Sequence, residues 1–119
     1  MQRFMLRAKL HRAVVTECDI DYTGSITIDR ELMDMADLLP GEQVDVYNIT
    51  NGNRMTTYVI EGARGSGVIG INGAAARLCD IDDLVIICAY CQLEEAQARA
   101  HQPVVLQLNP DNTVQKHLT

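Results

Sequence analysis

Tryptophan is absent and phenylalanine occurs once, at Phe4; with four tyrosines, aromatic residues make up only 4% of the chain. The core must therefore be packed from Val, Ile, Leu, Met and Ala, and a hydrophobic share of 47% is enough for that. No run of about 18 apolar residues occurs, which argues against a membrane-spanning helix. The basic N-terminus lacks the apolar stretch of roughly 7–15 residues that a secretory signal needs, so the expected location is the cytoplasm. Positive charge is scarce too: 10 Lys and Arg stand against 16 Asp and Glu, for a net charge of −6. That balance argues against nucleic-acid binding, where basic surface supplies most of the affinity. An anionic small substrate would need a local cluster of cations or amide donors working against the overall field.

There is no Pro/Ser linker, no low-complexity tract and no internal repeat. The 119 residues suit a single domain, 1–119, with a polar tail from about 110 to 119 expected to be mobile. Four cysteines occur, at Cys18, Cys79, Cys88 and Cys91. Cys88 and Cys91 have the spacing of a metal or redox pair. They sit in an apolar run that reads as a strand, where residues three apart face opposite ways. Cys18 and Cys79 do not supply the second close pair of a tetrahedral zinc site. Buried structural thiols are the expectation, and no metal site is expected.

Phe4, Leu6, Ala8 and Leu10 alternate with Arg3, Arg7, Lys9 and His11, the pattern of a strand with one apolar face. Ile28, Leu32, Met35, Ala36 and Leu39 recur at helical spacing, with Asp29 as N-cap and Pro40-Gly41 as terminator. Strands are expected at 44–49 and 55–60 about an Asn51-Gly52 turn, and again at 68–71, 84–91 and 103–108. An Ala-rich helical turn is expected after Asn72-Gly73, and a short helix at 93–100. Short strands with few helices suggest a compact, mainly β barrel of mixed connectivity.

Several residues have chemical potential. Ser25 follows Gly24, and a Ser hydroxyl can attack the preceding carbonyl if the backbone is held in an unusual conformation, which Gly tolerates at least cost. Ester formation and elimination would turn Ser25 into a pyruvoyl group. Gly65-Ser66 is a second such pair, and local sequence does not choose between them; most are ordinary turns. Lys9 and His11 share the polar face of the first strand, as a solvated basic edge or as a cationic wall for an anion. Arg54 closes the hairpin turn; a guanidinium there is either solvated or able to clamp a carboxylate. Thr57 and Tyr58 are adjacent on a strand and should diverge, so they line one pocket only if the strand is bulged or the pocket lies between subunits. Asn72 to Arg77 is either a tightly packed corner or an anion-binding helix start.

Met5 to Arg12 (MLRAKLHR), Tyr22-Thr23-Gly24-Ser25, Asn51-Gly52-Asn53-Arg54 with Thr57-Tyr58, and Asn72-Gly73-Ala74-Ala75-Ala76 occur in this order. As an ordered set they resemble the aspartate 1-decarboxylase family, the pyruvoyl-dependent enzymes of β-alanine and pantothenate synthesis. The likeness runs from Met1 to about residue 110. One departure is Asp82, where the family pattern leads one to expect Gly.

The resemblance implies a six-stranded double-psi β-barrel with short helices, assembled as a homotetramer with active sites between subunits. It implies a precursor that cleaves itself at Gly24-Ser25 into a β chain, 1–24, and an α chain, 25–119, with or without an accessory protein. Ser25 would become the pyruvoyl cofactor, with neither metal nor pyridoxal phosphate. L-Aspartate would join it as a Schiff base, because a carbanion left by CO2 loss needs an electron sink, and β-alanine would be released. Matching positions imply that Lys9 and Arg54 hold substrate carboxylates and that Tyr58 donates a proton. Thr57 would bind substrate and polarise the Gly24 carbonyl. Gly73, Ala74 and Ala75 would offer backbone contacts, while His11, Tyr22 and Asn72 serve the pocket or the processing. The alternative is a non-enzymatic small β-barrel that binds partners, since such barrels host many functions. A Ser hydrolase is disfavoured, because no G-x-S-x-G elbow is present.

Overall fold

The computed structural model describes residues 1–118. Nine strands form: β1 (Gln2–Val14), β2 (Glu17–Asp19), β3 (Ser25–Asp29), β4 (Gln43–Asn48), β5 (Arg54–Gly62), β6 (Ile69–Asn72), β7 (Leu84–Glu94), β8 (Val104–Leu108) and β9 (Val114–His117). Two short helices, α1 (Arg30–Ala36) and α2 (Glu95–Ala100), and a 3₁₀ helix at Gly73–Leu78 complete the set. The architecture is mainly β, as expected. Among the described residues the strands lie in one hydrogen-bonded order, β2-β6-β3-β5-β4-β7-β1-β8-β9. Pairs β1–β8, β2–β6 and β3–β5 are parallel and the others antiparallel. Among the described residues, no helix is long and apolar enough to cross a membrane.

The core is aliphatic, as the lack of aromatics requires: Leu10, Ile26, Ile28, Ile69, Ile71 and Ile87 are fully buried. It takes its residues alternately, with Val44 and Val46 inward on β4 and Val85, Ile87 and Ala89 inward on β7. The opposite, outer face carries Asp45, Tyr47, Cys88 and Tyr90.

Two bulges in β1 alter the expected alternation. The register with β7 shifts between Leu6 and Ala8, and an extra residue turns everything before it to the other face. Ala8 and Leu10 are buried, but Phe4 is 77% exposed and Leu6 sits opposite Tyr90. The bulged Arg7 turns its guanidinium to Glu42 and the Ala36 carbonyl. The second shift lies between Leu10 and Ala13, where Arg12 adopts φ 65°.

The helix after β3 is shorter than its apolar spacing suggests. Asp29 caps it by accepting the Glu31 N–H, as expected, but it ends at Ala36 with Asp37 in the left-handed conformation. Ile28 belongs to β3 and Leu39 is 61% exposed, so neither belongs to a helical face. The buried α1 residues are Leu32, Met33 and Ala36. The hairpin β4–β5 forms through a longer loop than a two-residue Asn-Gly turn, with Gly52 at φ 80° and its N–H on the Asn48 carbonyl. Strand β7 runs on to Glu94, which leaves only Glu95–Ala100 for α2.

Asp82 occupies the position where Gly was expected, and its φ is 77°. The turn is held from both sides: the Asp82 N–H donates to the Val15 carbonyl at 2.8 Å and the Val15 N–H to the Asp83 carbonyl at 2.9 Å. The backbone conformation that favours glycine is thus kept, with an Asp that tolerates it better than most residues. Replacing Asp82 by Val should lower unfolding stability by about 1–2 kcal/mol, whereas Asp82→Gly should cost nothing measurable; urea denaturation of the two variants checks the difference.

Candidate active site

Ser25 opens β3, between two neighbours. On one side it pairs with Asn72 of β6 in antiparallel register. On the other, β3 runs parallel to β5 from the pair Ile26–Val59. Ser25 and Tyr58 stand one residue before that pair, each on its own strand, at the level where the parallel ladder begins. The serine hydroxyl is buried, with the residue 1% exposed. It donates to the Thr23 carbonyl at 3.0 Å and accepts from the Asn72 side-chain amide at 3.1 Å. The same Asn72 amide also donates to Thr27 Oγ1 at 3.0 Å. Asn72 is itself 5% exposed and makes no cap bond to the 3₁₀ helix that follows it.

The strained glycine of this corner is Gly73 rather than Gly24. Gly73 has φ 73°, whereas Gly24 is not among the positive-φ residues. A Cβ on Gly73 would stand 2.6 Å from Gly24 Cα, 2.8 Å from Gly24 N and 3.2 Å from the Tyr22 carbonyl. Backbone therefore packs on backbone here, which only Gly permits. A Cβ on Gly24 would meet nothing within 4 Å, so that side is open. Tyr22 is more than half exposed in the turn before Gly24. Of the small residues beyond Gly73, Ala74 is exposed and Ala75 half-buried.

The second Gly-Ser pair is an ordinary turn. Ser66 Oγ donates to the Ala63 carbonyl at 2.6 Å and accepts the Val68 N–H at 3.2 Å, while the Gly65 and Gly67 N–H groups are held by the buried Asp29 carboxylate.

The cations stand on the outer sheet face. Lys9 lies opposite Cys88, Cys88 opposite Asp45, and Asp45 opposite Thr56, a row of three strand spacings or about 14 Å. Arg54 is two residues from Thr56 on that same face of β5, opposite Tyr47. Its guanidinium carbon sits over the Tyr47 ring, 4.7 Å from the centroid. Among the described residues, neither Lys9 nor Arg54 belongs to an ion pair. Tyr58 is four residues beyond Arg54, about 13 Å along the strand. Strand β5 pairs with β4 from Gln43–Tyr58 to Tyr47–Arg54 without a register shift, so the bulge that would bring Thr57 and Tyr58 to one face is absent. Thr57 faces the core side and makes no hydrogen bond to the Gly24 carbonyl among the described residues.

Burial holds His11 below the ordinary imidazole range, with Lys9 and Arg12 adding to the effect. Its Nδ1 is buried and, among the described residues, has no hydrogen-bond partner. Burial pushes the Cys88 thiol up and Cys79 up to about 11, so these thiols are protonated at neutral pH and are poor nucleophiles. Cys88 is buried and Cys91 half-buried on one strand. The hydrogen bond from Tyr47 is the largest cause that raises the Tyr90 phenol. Tyr47, Tyr90 and Thr27 were not among the site residues expected from sequence. Thr27 lies two residues beyond Ser25, on its face of a strand, and that spacing is a signal for it; the Tyr47–Tyr90 contact crosses strands and has none.

The aspartate decarboxylase family model matches residues 1–115. The chain is 59% identical over 112 residues to the aspartate 1-decarboxylase of Caulobacter vibrioides, covering 94% of this chain and 95% of that one. It is 53% identical over 112 residues to that of Thermoanaerobacter pseudethanolicus, covering 94% and 96%. The chain belongs to this family of decarboxylating enzymes. A solved structure, that of the rationally designed protein mkDPBB_sym_86, is similar with a TM-score of 0.49 and 17% identity, covering 71% of this chain and 92% of its own.

The Gly73–Gly24 contact has a measurable cost. Gly73→Ala should lower stability by about 2 kcal/mol or more, from overpacking added to left-handed strain. Gly52→Ala, at φ 80° with nothing within 4 Å of a Cβ, should lose only about 1 kcal/mol. Equal losses in urea titrations would show that the close approach contributes nothing.

Proposed function

We propose that the chain is a self-cleaving precursor of a pyruvoyl-dependent L-aspartate α-decarboxylase that makes β-alanine and CO2, in the supply of pantothenate. The observation that carries this reading is the buried Ser25 hydroxyl, gripped by Asn72 beside a Gly24 wedged against Gly73. Family membership supplies the reaction class.

In the cleavage, Ser25 Oγ leaves the Thr23 carbonyl by a rotation between staggered χ1 wells and attacks the Gly24 carbonyl carbon. The Gly24–Ser25 C–N bond breaks as the ester C–O bond forms, and the amine takes the proton. Loss of the Ser25 α-proton then expels the Gly24 carboxylate. Water adds to the resulting enamine and ammonia leaves. The corner suits the product, since the space beside Gly24 is open and Asn72 offers an amide donor beside the converted residue. When formed, the pyruvoyl group supplies an electrophilic carbonyl and a sink for the electron pair released with CO2.

The remaining roles fall to side chains. Arg54 and Lys9 hold the substrate carboxylates, for which a planar guanidinium gives a bidentate grip. Tyr58, level with Ser25, is the proton donor to the α-carbon. Tyr22 and the Gly73-Ala74-Ala75 backbone bound the substrate, and His11 is a neutral wall group. Arg54 stands about 13 Å from the Ser25 level within one chain, farther than a four-carbon diacid spans. Thr57 and Tyr58 diverge as well. Both facts favour pockets shared between subunits of a homotetramer.

Intact mass spectrometry tests the reading. Purified protein should give two polypeptides, 1–24 and 25–119, with the longer one lighter than a Ser-initiated chain by the mass of one ammonia. Ser25→Ala should give one uncut chain and no β-alanine. A single continuous wild-type chain that still decarboxylates aspartate would overturn the proposal, and an uncut inactive chain would favour a binding module or an unprocessed precursor. In cleaved protein, Arg54→Ala should lower kcat/KM by about 100-fold or more, the equivalent of a lost charge-assisted bidentate contact; near-normal turnover would remove Arg54 from the substrate grip.

A further inference from the structure

Arg54 is supported by its neighbours. On the outer face of the sheet, its guanidinium carbon lies 4.7 Å from the centre of the Tyr47 ring. The two residues are register partners at the end of the β4–β5 hairpin. Arg54 is exposed and, among the described residues, takes part in no ion pair. Of the chain's seven other arginines, Arg3, Arg7, Arg30, Arg64 and Arg99 are held by carboxylates, while Arg12 and Arg77, like Arg54, are in no ion pair among the described residues. A guanidinium lying on an aromatic face keeps its N–H donors in its own plane, pointing away from the ring and free for a planar acceptor.

The ring beneath is itself held. Tyr47 Oη and Tyr90 Oη are 2.9 Å apart. Tyr90 belongs to β7, the strand between β4 and β1, and is two residues from Cys88, the register partner of Lys9. A hydroxyl-to-hydroxyl bond between neighbouring strands fixes the far end of the Tyr47 side chain and so restrains it about χ1. The sequence Tyr90–Tyr47–Arg54 therefore runs across three strands and ends at the only one of these groups that carries a charge.

We propose that Tyr47 is a positioning residue for Arg54, its ring holding the guanidinium plane for a substrate carboxylate while the Tyr90 hydroxyl locks the ring. This rests on the reading that Arg54 grips a carboxylate. Stacking cuts the entropy that a free Arg loses on binding, so the contribution falls on substrate affinity rather than on the chemical step.

The test reads binding and turnover separately. Titration calorimetry with succinate, a four-carbon dicarboxylate without the reacting amine, measures the grip whether or not the protein decarboxylates. Tyr47→Ala in cleaved protein should raise both the succinate Kd and the aspartate KM by about three- to thirtyfold, with kcat changed less than twofold. Tyr47→Phe and Tyr90→Phe should each raise them about two- to threefold. The double Phe variant should match either single one, because both remove one shared bond. Mass spectrometry and thermal melting confirm that each variant is cleaved and folded. If Tyr47→Ala does not fold, the Phe series decides. Unchanged Kd and KM in folded Tyr47→Ala, or additive effects of the two Phe substitutions, would overturn the proposal. Succinate binding that weakens as expected in a protein without decarboxylase activity would sustain this inference while the pyruvoyl reading failed.

Discussion

Strand β3 is the element on which the candidate site depends. It is five residues long and is paired on both sides, antiparallel to β6 and parallel to β5. Ile26 and Ile28 are fully buried in the core, and together they bury roughly 3–6 kcal/mol of apolar surface energy. A slip of one residue would turn both to the polar side. The register is therefore pinned, and with it the place of Ser25 between Asn72 and the level of Tyr58. The scaffold that holds Ser25 in one geometry is the aliphatic core.

The second constraint is backbone proximity. Gly73 takes a left-handed conformation so that the chain after β6 can fold back over Gly24. Asn72 then faces Ser25 and Thr27 instead of capping the 3₁₀ helix. The far end of that helix is tied down independently: Asn48, Asn51 and Asn53 all donate to the Leu78 carbonyl at 3.0–3.3 Å. One end of the Gly73–Leu78 segment thus meets the Gly-Ser corner and the other meets the hairpin that presents Arg54. The two are joined by the six residues of that helix.

Much of the arrangement was readable from the chain itself. The β4–β5 hairpin, the Asp29 cap and the aliphatic core follow from local patterns with one strong period or one turn pair. Where two signals overlap, the local pattern misleads. Ile28 and Leu39 matched a helical spacing by coincidence, because one belongs to a buried strand and the other lies past a left-handed cap at Asp37. Phe4 and Leu6 matched the alternation of Ala8 and Leu10, but a bulge at Arg7 breaks the phase. A bulge of that kind is selected by what Arg7 meets across the fold, Glu42 and the Ala36 carbonyl, and nothing near residue 7 announces it.

The site divides along the same line. Sequence alone determined the composition of the core, the strand and turn chemistry, and the candidate groups Ser25, Lys9, Arg54 and Tyr58, because residue type and short spacing carry that information. Only the tertiary structure gave the two Gly-Ser pairs different surroundings, with Ser25 buried against Asn72 and Ser66 closing its own exposed turn. It alone moved the strained backbone from Gly24 to Gly73 and set Arg54 on a tyrosine locked from the next strand. Those facts depend on contacts between residues far apart in the chain, Ser25 with Asn72 and Tyr22 with Gly73 among them, and register across strands is fixed by burying the whole core at once.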